Sequence, residues 1–290
     1  MPTYIAIDFG GTHIKGALMN DNGDFLEEKD VPTPKIKEDI INTLCDFSKL
    51  AKEDTVAVGL GIAGPIDKNN RIIYPPNIKE LDGFNITNLE EKFNLPIYIE
   101  NDANCFALAE SRFGDGKGRK NAIFITLGTG IGGGIMVNGE IIQGKDGAAG
   151  EIGHIVIDAF SNEFSSGIKG SLENMASGTA IGRRCGCSAY EASIKANNGD
   201  VDAKNSFSLA GKYMGIGFAS LANIFNPEIF IIGGSVIKSK EFFEEEMREE
   251  FKNRCMMPAG TAEIKFSKLK EPGIIGAGVT AIEMNKKNKI

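Results

Sequence analysis

A single histidine lies between two acids in the middle of the chain. His154 follows Glu151 by three positions, and Glu173 comes after a loop rich in Ser and Gly. His154 is one of only two histidines among the 290 residues. Two carboxylates and an imidazole can together donate and accept several hydrogen bonds. The sequence therefore raises the question of which polar ligand these three side chains bind.

A further carboxylate, that of Asp102, lies in the segment IENDANCFALAE. The apolar run LPIYIE predicts a strand over residues 95–100, and the residues that follow predict a helix. A carboxylate at such a junction can lie at the mouth of a cleft and act there as a base. Asn and Asp are also preferred helix N-caps, and taken alone the segment favours a cap at Asn101 and Asp102.

Three glycine-containing turns follow predicted strands: DFGGT at residues 8–12, LGTGIGG at 127–133 and IGGS at 232–235. Without a Cβ, the backbone N–H groups of such turns can approach a phosphate closely. The hydroxyls of Thr12 and Thr129 add donors. Any one of these turns alone favours a plain hairpin, but three of them at strand ends favour a nucleotide.

Two other nucleotide motifs can be tested on the sequence. No G-x-x-x-x-G-K-[ST] segment is present, which argues against a P-loop. Residues 128–133 match G-x-G-x-x-G by letters, but a dinucleotide site needs a helix after the last Gly. Here GIMVNGEII follows, which predicts a strand and an Asn-Gly turn, so we interpret this match as false.

An internal repeat indicates how the turns are positioned. IAIDFGGTHIKGALMN at residues 5–20 aligns with IFITLGTGIGGGIMVN at residues 123–138, and each copy reads as strand, turn and strand. A period this long excludes a solenoid. Between the copies, apolar spacing predicts a helix over residues 35–52 and a strand over 56–62. The order predicts two similar α/β domains with opposed glycine turns.

The second half of the chain adds further predicted elements. Its patterns predict a helix over residues 205–225, a strand over 228–236, a charged helix over 241–251 and a last helix over 273–285. We expect the last helix to return to the first domain.

Composition limits the partners. The net charge is −7 and the hydrophobic fraction 42%, which favours a sizeable core and argues against binding nucleic acid. The five cysteines are loosely spaced and odd in number, which favours free thiols in a reducing compartment. We find no signal peptide and no run of 18 apolar residues, so we expect a cytoplasmic protein without a membrane partner.

Five motifs occur in the order and spacing of the ROK family, which comprises repressors, open reading frames and kinases of the actin/hexokinase superfamily. They are Asp8-x-Gly-Gly-Thr12, Glu100-Asn-Asp-Ala-Asn104, Leu127-Gly-Thr-Gly-x-Gly-Gly-Gly134, Gly150-Glu-x-Gly-His154 and Gly170-x-Leu-Glu173. The chain resembles this family over residues 4–284. ROK repressors carry an N-terminal DNA-binding region, whereas the first motif here begins at Asp8, so the resemblance implies the kinase branch.

The resemblance implies a role for each motif. Asp102 would be the general base toward a sugar 6-hydroxyl, and Asp8 would help to position magnesium. The implied sugar-binding residues are Gly64, Asn77, Asn101, Asp102, Glu151, His154 and Glu173. The implied ATP-binding residues are Asp8, Gly10, Gly11, Thr12, Gly128, Thr129, Gly130, Gly233 and Gly234.

One departure from the family pattern concerns zinc. ROK kinases usually carry C-x-C-G-x-x-G-C-x-E after the histidine, and the histidine and three cysteines bind structural zinc. This chain has Phe164, Ser166 and Ser171 at the three cysteine positions, and these side chains are poor zinc ligands. We therefore predict no structural zinc, and interpret Cys185 and Cys187 as free thiols outside that frame. The pattern resembles zinc-less N-acetylmannosamine kinases.

These observations predict two actin-like, ribonuclease-H-like α/β domains with mixed sheets flanking a cleft. We expect a smaller domain of residues 1–115 with 275–290 and a larger one of residues 116–274. The expected activity is ATP- and Mg²⁺-dependent phosphorylation of a sugar, first of all N-acetylmannosamine, by a homodimer. The alternatives are glucokinase or another ROK hexokinase acting on N-acetylglucosamine, fructose or a β-glucoside, and a sugar-sensing regulator without kinase activity.

Overall fold

The computed structural model describes residues 1–64, 66–67, 70–72, 79–164 and 167–288. These residues form ten β-strands and nine α-helices, together with short 3-10 segments. The strands are β1 (Thr3–Phe9), β2 (His13–Asn20), β3 (Phe25–Pro32), β4 (Thr55–Ile62), β5 (Ile97–Asn101), β6 (Ala122–Leu127), β7 (Ile131–Val137), β8 (Glu140–Ile141), β9 (Ile229–Gly233) and β10 (Glu263–Phe266). The α-helices are α1 (Lys37–Cys45), α2 (Glu90–Phe93), α3 (Asp102–Phe113), α4 (Leu172–Ala176), α5 (Gly178–Arg184), α6 (Ala189–Asn197), α7 (Val201–Phe225), α8 (Glu244–Arg254) and α9 (Pro272–Lys287).

The chain divides into two compact units. Unit 1 consists of residues 1–118, 141–149 and 269–290, and unit 2 consists of residues 119–140 and 150–268. The domain division expected from the sequence stays a prediction. The units differ from it because residues 116–118, 141–149 and 269–274 group with unit 1.

Each unit is built on one five-stranded mixed sheet. In unit 1 the strand order is β3-β2-β1-β4-β5, and in unit 2 it is β8-β7-β6-β9-β10. In both units the first strand pairs antiparallel with the second and parallel with a later one: β1 with β2 and β4, β6 with β7 and β9. The shared order confirms that the sequence repeat marks two similar sheets, and it confirms the predicted α/β class.

The core of unit 1 covers both faces of its sheet, because alternate residues of a strand point to opposite faces. Ile5 and Ile7 are fully buried in the cluster on one face, and Ala6 packs on the other face beside Ala277 of α9. A Cβ on Gly59 of β4 would lie 1.8 Å from the Ala277 carbonyl oxygen, so only glycine allows this approach. The last helix therefore packs on the first sheet, as expected.

Several element boundaries differ from the predictions. The helix expected over residues 35–52 is α1 followed by a 3-10 helix at Asp46–Leu50. The charged helix expected from residue 241 begins at Glu244, after a 3-10 segment at Ser235–Phe242 that is kinked at Ser239. Across the part of the chain that the structure describes, no helix is both long enough and apolar enough to cross a membrane.

Candidate active site

Turn 1 (Gly10–Thr12) joins β1 to β2 in unit 1. The Gly10 N–H donates to the His13 carbonyl over 3.0 Å and closes the hairpin. Thr33, which the sequence did not single out, fixes the turn from outside. Its hydroxyl donates to the Gly10 carbonyl over 2.7 Å, and its N–H donates to the Thr12 carbonyl over 2.9 Å. The tip of the turn is exposed, so its backbone N–H groups can reach a phosphate.

Asp8 is the charged group beside turn 1. Loss of hydration is the main cause that raises the pKa of its carboxyl to about 6; the neighbouring carboxylates of Asp102 and Glu271 act in the same direction, and Lys15 opposes them. Asp8 lies opposite Lys15 in the β1–β2 pair. A Cβ on Gly273, in the first turn of α9, would lie 2.3 Å from a carboxylate oxygen of Asp8. The acid is therefore held tightly between a strand and a helix start.

Lys15 and Glu271 form an ion pair that sequence reasoning missed. The Lys15 Nζ lies 2.9 Å from one carboxylate oxygen of Glu271 and 3.1 Å from the other. Hydrogen bonding to Glu271 is the main cause that raises the pKa of Lys15. Glu271 has a positive φ of 46° at the start of α9, a conformation that non-glycine residues rarely adopt. The pair thus fixes the charges that surround Asp8.

The surroundings of Asp8 fit a magnesium ion. The described residues contain no group of three or more His, Cys, Asp or Glu side chains that could hold a metal ion by themselves. Mg²⁺, however, is usually held by one or two carboxylates together with water and substrate phosphates. A carboxylate whose ionisation is opposed by two neighbouring acids gains from a cation, so Asp8 suits this role.

Asp102 is the first residue of α3, and Asn101 is its N-cap. The Asn101 side-chain oxygen accepts from the N–H groups of Ala103 and Asn104, and its amide donates to the Gly64 carbonyl over 3.2 Å. The predicted cap is therefore Asn101 alone. The Asp102 carboxylate accepts the Ala103 N–H over 2.9 Å. It keeps an open path to solvent, yet the surrounding protein removes enough water to raise its pKa.

Glu100 supports this junction from behind. One of its carboxylate oxygens accepts from the Asn101 N–H and from the buried Asn104 amide, over 2.9 Å and 3.0 Å. The other accepts from the Gln143 side chain over 3.2 Å. A cavity of about 590 Å³ follows the outer edge of β5 and reaches Asn101. Asp8 and Asp102 do not line it, so we assign no chemistry to it.

Turn 2 (Gly128–Gly130) joins β6 to β7 in unit 2. The Gly128 N–H donates to the Gly130 carbonyl over 3.0 Å, and a strand follows. The absence of a helix after the turn confirms that the dinucleotide match is false. The start of α5 is bonded to the turn, because the Gly178 N–H donates to the Gly128 carbonyl and the Thr179 hydroxyl donates to the Thr129 carbonyl, both over 2.8 Å.

Glu173, at the start of α4, contacts turn 2. A carboxylate oxygen of Glu173 accepts from the Ile131 N–H over 2.9 Å. A Cβ on Gly130 would lie 2.3 Å from the same oxygen. Two predicted sites, one for phosphate and one for sugar, are therefore brought into contact within unit 2.

Glu151 precedes the 3-10 helix Ile152–His154, and His154 is the last residue of that helix. Their side chains are about half exposed, and the Glu151 carboxylate lies 3.7 Å from the His154 Nε2, which is too long for a hydrogen bond. A Cβ placed on Gly167 would lie 3.4 Å from the imidazole, so the loop after the histidine passes close to the ring.

A cavity of about 510 Å³ opens beside turn 2. It is lined by Gly128, Thr129, Gly178, Thr179, Gly182, Arg183, Cys187, Ser188, Ala189, Tyr190, Ser235 and Val236. Gly233 and Gly234, predicted near the adenosine, do not line it themselves. Gly234 has φ of 99°, and a Cβ there would lie 2.3 Å from the Leu127 carbonyl oxygen. Glycine is therefore favoured at this position, directly before Ser235 and Val236 of the cavity lining.

Two further predictions concern residues around these sites. Asn77 and Ser166 lie outside the described residues. Cys185 and Cys187 are free thiols, as the sequence indicated. Cys187 lines the cavity beside turn 2, which the sequence did not predict.

The sequence model of the ROK family matches residues 4–283. The chain belongs to the ROK family. A glucokinase of Halalkalibacterium halodurans is 35% identical, over 95% of this chain and 93% of that protein. The structure of a ROK family glucokinase from Streptomyces griseus, in complex with glucose and AMPPNP, superposes with a TM-score of 0.83 at 31% identity over 97% of this chain and 99% of that one. A candidate N-acetylmannosamine kinase from Listeria monocytogenes superposes with a TM-score of 0.84 at 25% identity over 98% of this chain and 99% of that one.

Proposed function

We propose that glucose is the preferred acceptor of this ATP-dependent sugar kinase, and that the γ-phosphate is transferred to its 6-hydroxyl. The observation that carries the proposal is the similarity to glucokinases over nearly the whole chain. It supports the alternative expectation, glucokinase or another ROK hexokinase, better than the first expectation of N-acetylmannosamine. The candidate N-acetylmannosamine kinase from Listeria monocytogenes is 25% identical to this chain, whereas the two glucokinases are 35% and 31% identical.

Asp102 is the proposed general base. A base is most effective when its pKa lies near the working pH, and typically contributes about 10²–10⁴-fold to the rate. Loss of hydration raises the pKa of Asp102 in this direction. Because Asn101 takes over the capping of α3, the Asp102 carboxylate is left with few backbone partners and can accept a proton from a hydroxyl.

The other proposed sugar-binding residues are Asn101 in unit 1 and Glu151, His154 and Glu173 in unit 2. Glu151 and His154 are about half exposed and therefore accessible to a ligand. A sugar offers several hydroxyls that each donate and accept, and a buried partner left without its hydrogen bond costs about 1–3 kcal/mol. The positions of Asn77 and Gly64 are proposed contacts by the same family pattern.

Turns 1 and 2 are the proposed cradles for the ATP phosphates, and the 510 Å³ cavity beside turn 2 is the proposed site of the nucleoside. Asp8 is the proposed residue for magnesium. A magnesium ion bound there supplies charge neutralisation for the phosphates. A homodimer is part of the proposal on family grounds alone.

A coupled assay of ADP release over a panel of hexoses and N-acylhexosamines tests the acceptor. We expect kcat/KM for glucose to exceed that for N-acetylmannosamine by at least about tenfold, since one well-placed polar group contributes about 1–3 kcal/mol of discrimination. A preference for N-acetylmannosamine would overturn the proposal. No turnover with any sugar would favour the sugar-sensing regulator instead.

A further inference from the structure

The 155–171 loop connects the 3-10 helix that ends in His154 to α4, which carries Glu173. Backbone hydrogen bonds close the two ends of the loop onto each other: the Leu172 N–H donates to the Ile155 carbonyl, and the Ile157 N–H to the Gly170 carbonyl, both over 2.9 Å. These bonds fix the ends of the loop. They leave open what holds its middle.

Glu163 is the anchor of the middle of the loop. Its carboxylate lies 2.6 Å from a terminal nitrogen of Arg183 and 3.2 Å from one of Arg184. All three side chains are less than one-third exposed, so the pairs are shielded from water and salt more than a surface ion pair is. The two arginines belong to the last turn of α5.

The same two arginines hold the C-terminal end of α4. Arg183 donates to the Asn174 carbonyl over 2.7 Å, and Arg184 donates to the Met175 carbonyl over 2.8 Å. These carbonyls would otherwise lack partners, because a helix leaves its last C=O groups unsatisfied. Glu173 lies in this short helix, directly before Asn174. One pair of guanidinium groups therefore positions both Glu163 and the backbone beside Glu173.

The other end of α5 is bonded to turn 2. Gly178 and Thr179 donate to the carbonyls of Gly128 and Thr129, and a Cβ on Gly178 would lie 2.6 Å from the Gly128 oxygen. Arg183 itself lines the cavity beside turn 2. A helix of seven residues, buried on one side, thus links the phosphate turn to the loop between His154 and Glu173.

We propose that Arg183 and Glu163 are positioning residues that couple nucleotide binding at turn 2 to sugar binding by His154 and Glu173. A nucleotide on turn 2 fixes the start of α5, and the end of α5 then fixes Glu163 and α4. The consequence is reciprocal, because a coupling between two sites acts equally in both directions. The inference rests on the proposed kinase function for its two ligands.

The test compares Glu163→Gln and Arg183→Gln, singly and together, with wild type. The substitution Glu163→Gln keeps the shape of the side chain, and residue 163 does not line the cavity beside turn 2. We expect AMPPNP to increase the glucose affinity of wild type by about fivefold or more, and either variant to reduce this gain to less than about twofold. In Glu163→Gln, the KM for glucose should rise about tenfold while kcat changes by less than about threefold. The double variant should be no worse than the worse single variant.

Arg254→Gln is the matched control, because it removes the exposed Arg254–Glu250 pair of α8 in the same unit. It should keep the glucose KM and the AMPPNP effect within about twofold of wild type. Arg183→Lys gives a second variant: it keeps the charge but cannot bind two acceptors in a fork, and should lie between wild type and Arg183→Gln. Glu163 and Arg183 variants with a lower Tm but an unchanged AMPPNP effect would overturn the proposal, as would additive losses in the double variant.

Hydrogen exchange separates this inference from the proposed acceptor. In wild type, AMPPNP alone should slow exchange of residues 155–164 by at least about threefold, and in Glu163→Gln it should not. If no sugar is phosphorylated, the proposal of glucose as the acceptor is wrong, but the hydrogen-exchange measurement still tests the coupling. Equal protection in both proteins would contradict the coupling whatever the sugar assay gives.

Discussion

Turns 1 and 2 occupy the same place in two sheets of the same strand order, yet they differ in charge. At the offset of the repeat, Asp8 of unit 1 corresponds to Thr126 of unit 2, and Lys15 corresponds to Gly133. Turn 1 has the ionisable side chains of Asp8, Lys15 and Glu271 beside it, whereas turn 2 is contacted by the Glu173 carboxylate and held by hydrogen bonds to α5. The same strand–turn–strand arrangement therefore places charged side chains in unit 1 and connects two predicted binding motifs in unit 2.

The largest expected effect tests the charge at turn 1. Asp8→Asn should lower kcat by about 10²–10³-fold, because it removes the proposed magnesium contact from the phosphoryl-transfer step. The corresponding change in unit 2, Thr126→Val, keeps the shape and should lower kcat by less than about threefold. Steady-state assays with glucose and saturating Mg²⁺ and ATP measure both. Equal losses in the two variants would show that the turns are not specialised in this way.

The glycines of turn 2 provide the next test. Gly130→Ala places a Cβ against the Glu173 carboxylate and should raise the KM for sugar by about tenfold or more. At Gly128 the nearest atom to an added Cβ is 3.9 Å away, so Gly128→Ala should fold normally. It should instead raise the KM for ATP, because its Cβ keeps phosphate away from the backbone. The same KM pattern for both variants would contradict the separate roles of the two glycines.

The pH dependence of stability gives a smaller effect. Burial raises the pKa of Asp8 to about 6, so its contribution to stability is fully present below the pKa of the unfolded chain and is lost as the pH rises through about 6. Relative to wild type, Asp8→Asn should gain about 1 kcal/mol in the free energy of unfolding between about pH 5 and about pH 8. Urea unfolding at the two pH values measures this. A constant difference would show that Asp8 is not perturbed.

The smallest expected effect is the change in Tm when metals are removed. Treatment with EDTA should remove turnover if Mg²⁺ is bound as proposed, but should leave the Tm unchanged to within about 1 °C because Glu163 and its arginines hold the loop of unit 2. Elemental analysis should find less than about 0.1 equivalent of zinc per chain. A full equivalent of zinc that is lost when Cys185 and Cys187 are mutated would contradict the expected zinc-free loop.

Much of the fold could be predicted from the sequence because it lies in local patterns. The apolar runs of β1 and β6 and the glycine turns after them predicted both hairpins, and the repeat predicted two similar sheets. The helices α4, α5 and α6 were not predicted. They have five, seven and nine residues, too few to show a helical period, and their N-cap signals, Ser171, Ser177 and Ser188, are common residues in loops.

The candidate site was predicted less completely. Motif spacing indicated Asp8, Asp102 and Glu173, and the structure adds the contacts between them and their surroundings. The pairs Lys15–Glu271 and Glu163–Arg183 were missed because their partners lie 256 and 20 positions apart. Each of these charged side chains has many possible partners in the sequence, and only the packing of β2 with α9 or of the loop with α5 decides among them.

The most direct test of the central claim is phosphorylation of glucose by wild type and by Asp102→Asn. Wild type should release ADP with glucose, and Asp102→Asn should bind glucose within about threefold of wild type while its kcat falls by about 10²–10⁴-fold. A kcat for Asp102→Asn within about threefold of wild type would contradict the assignment of Asp102 as the base.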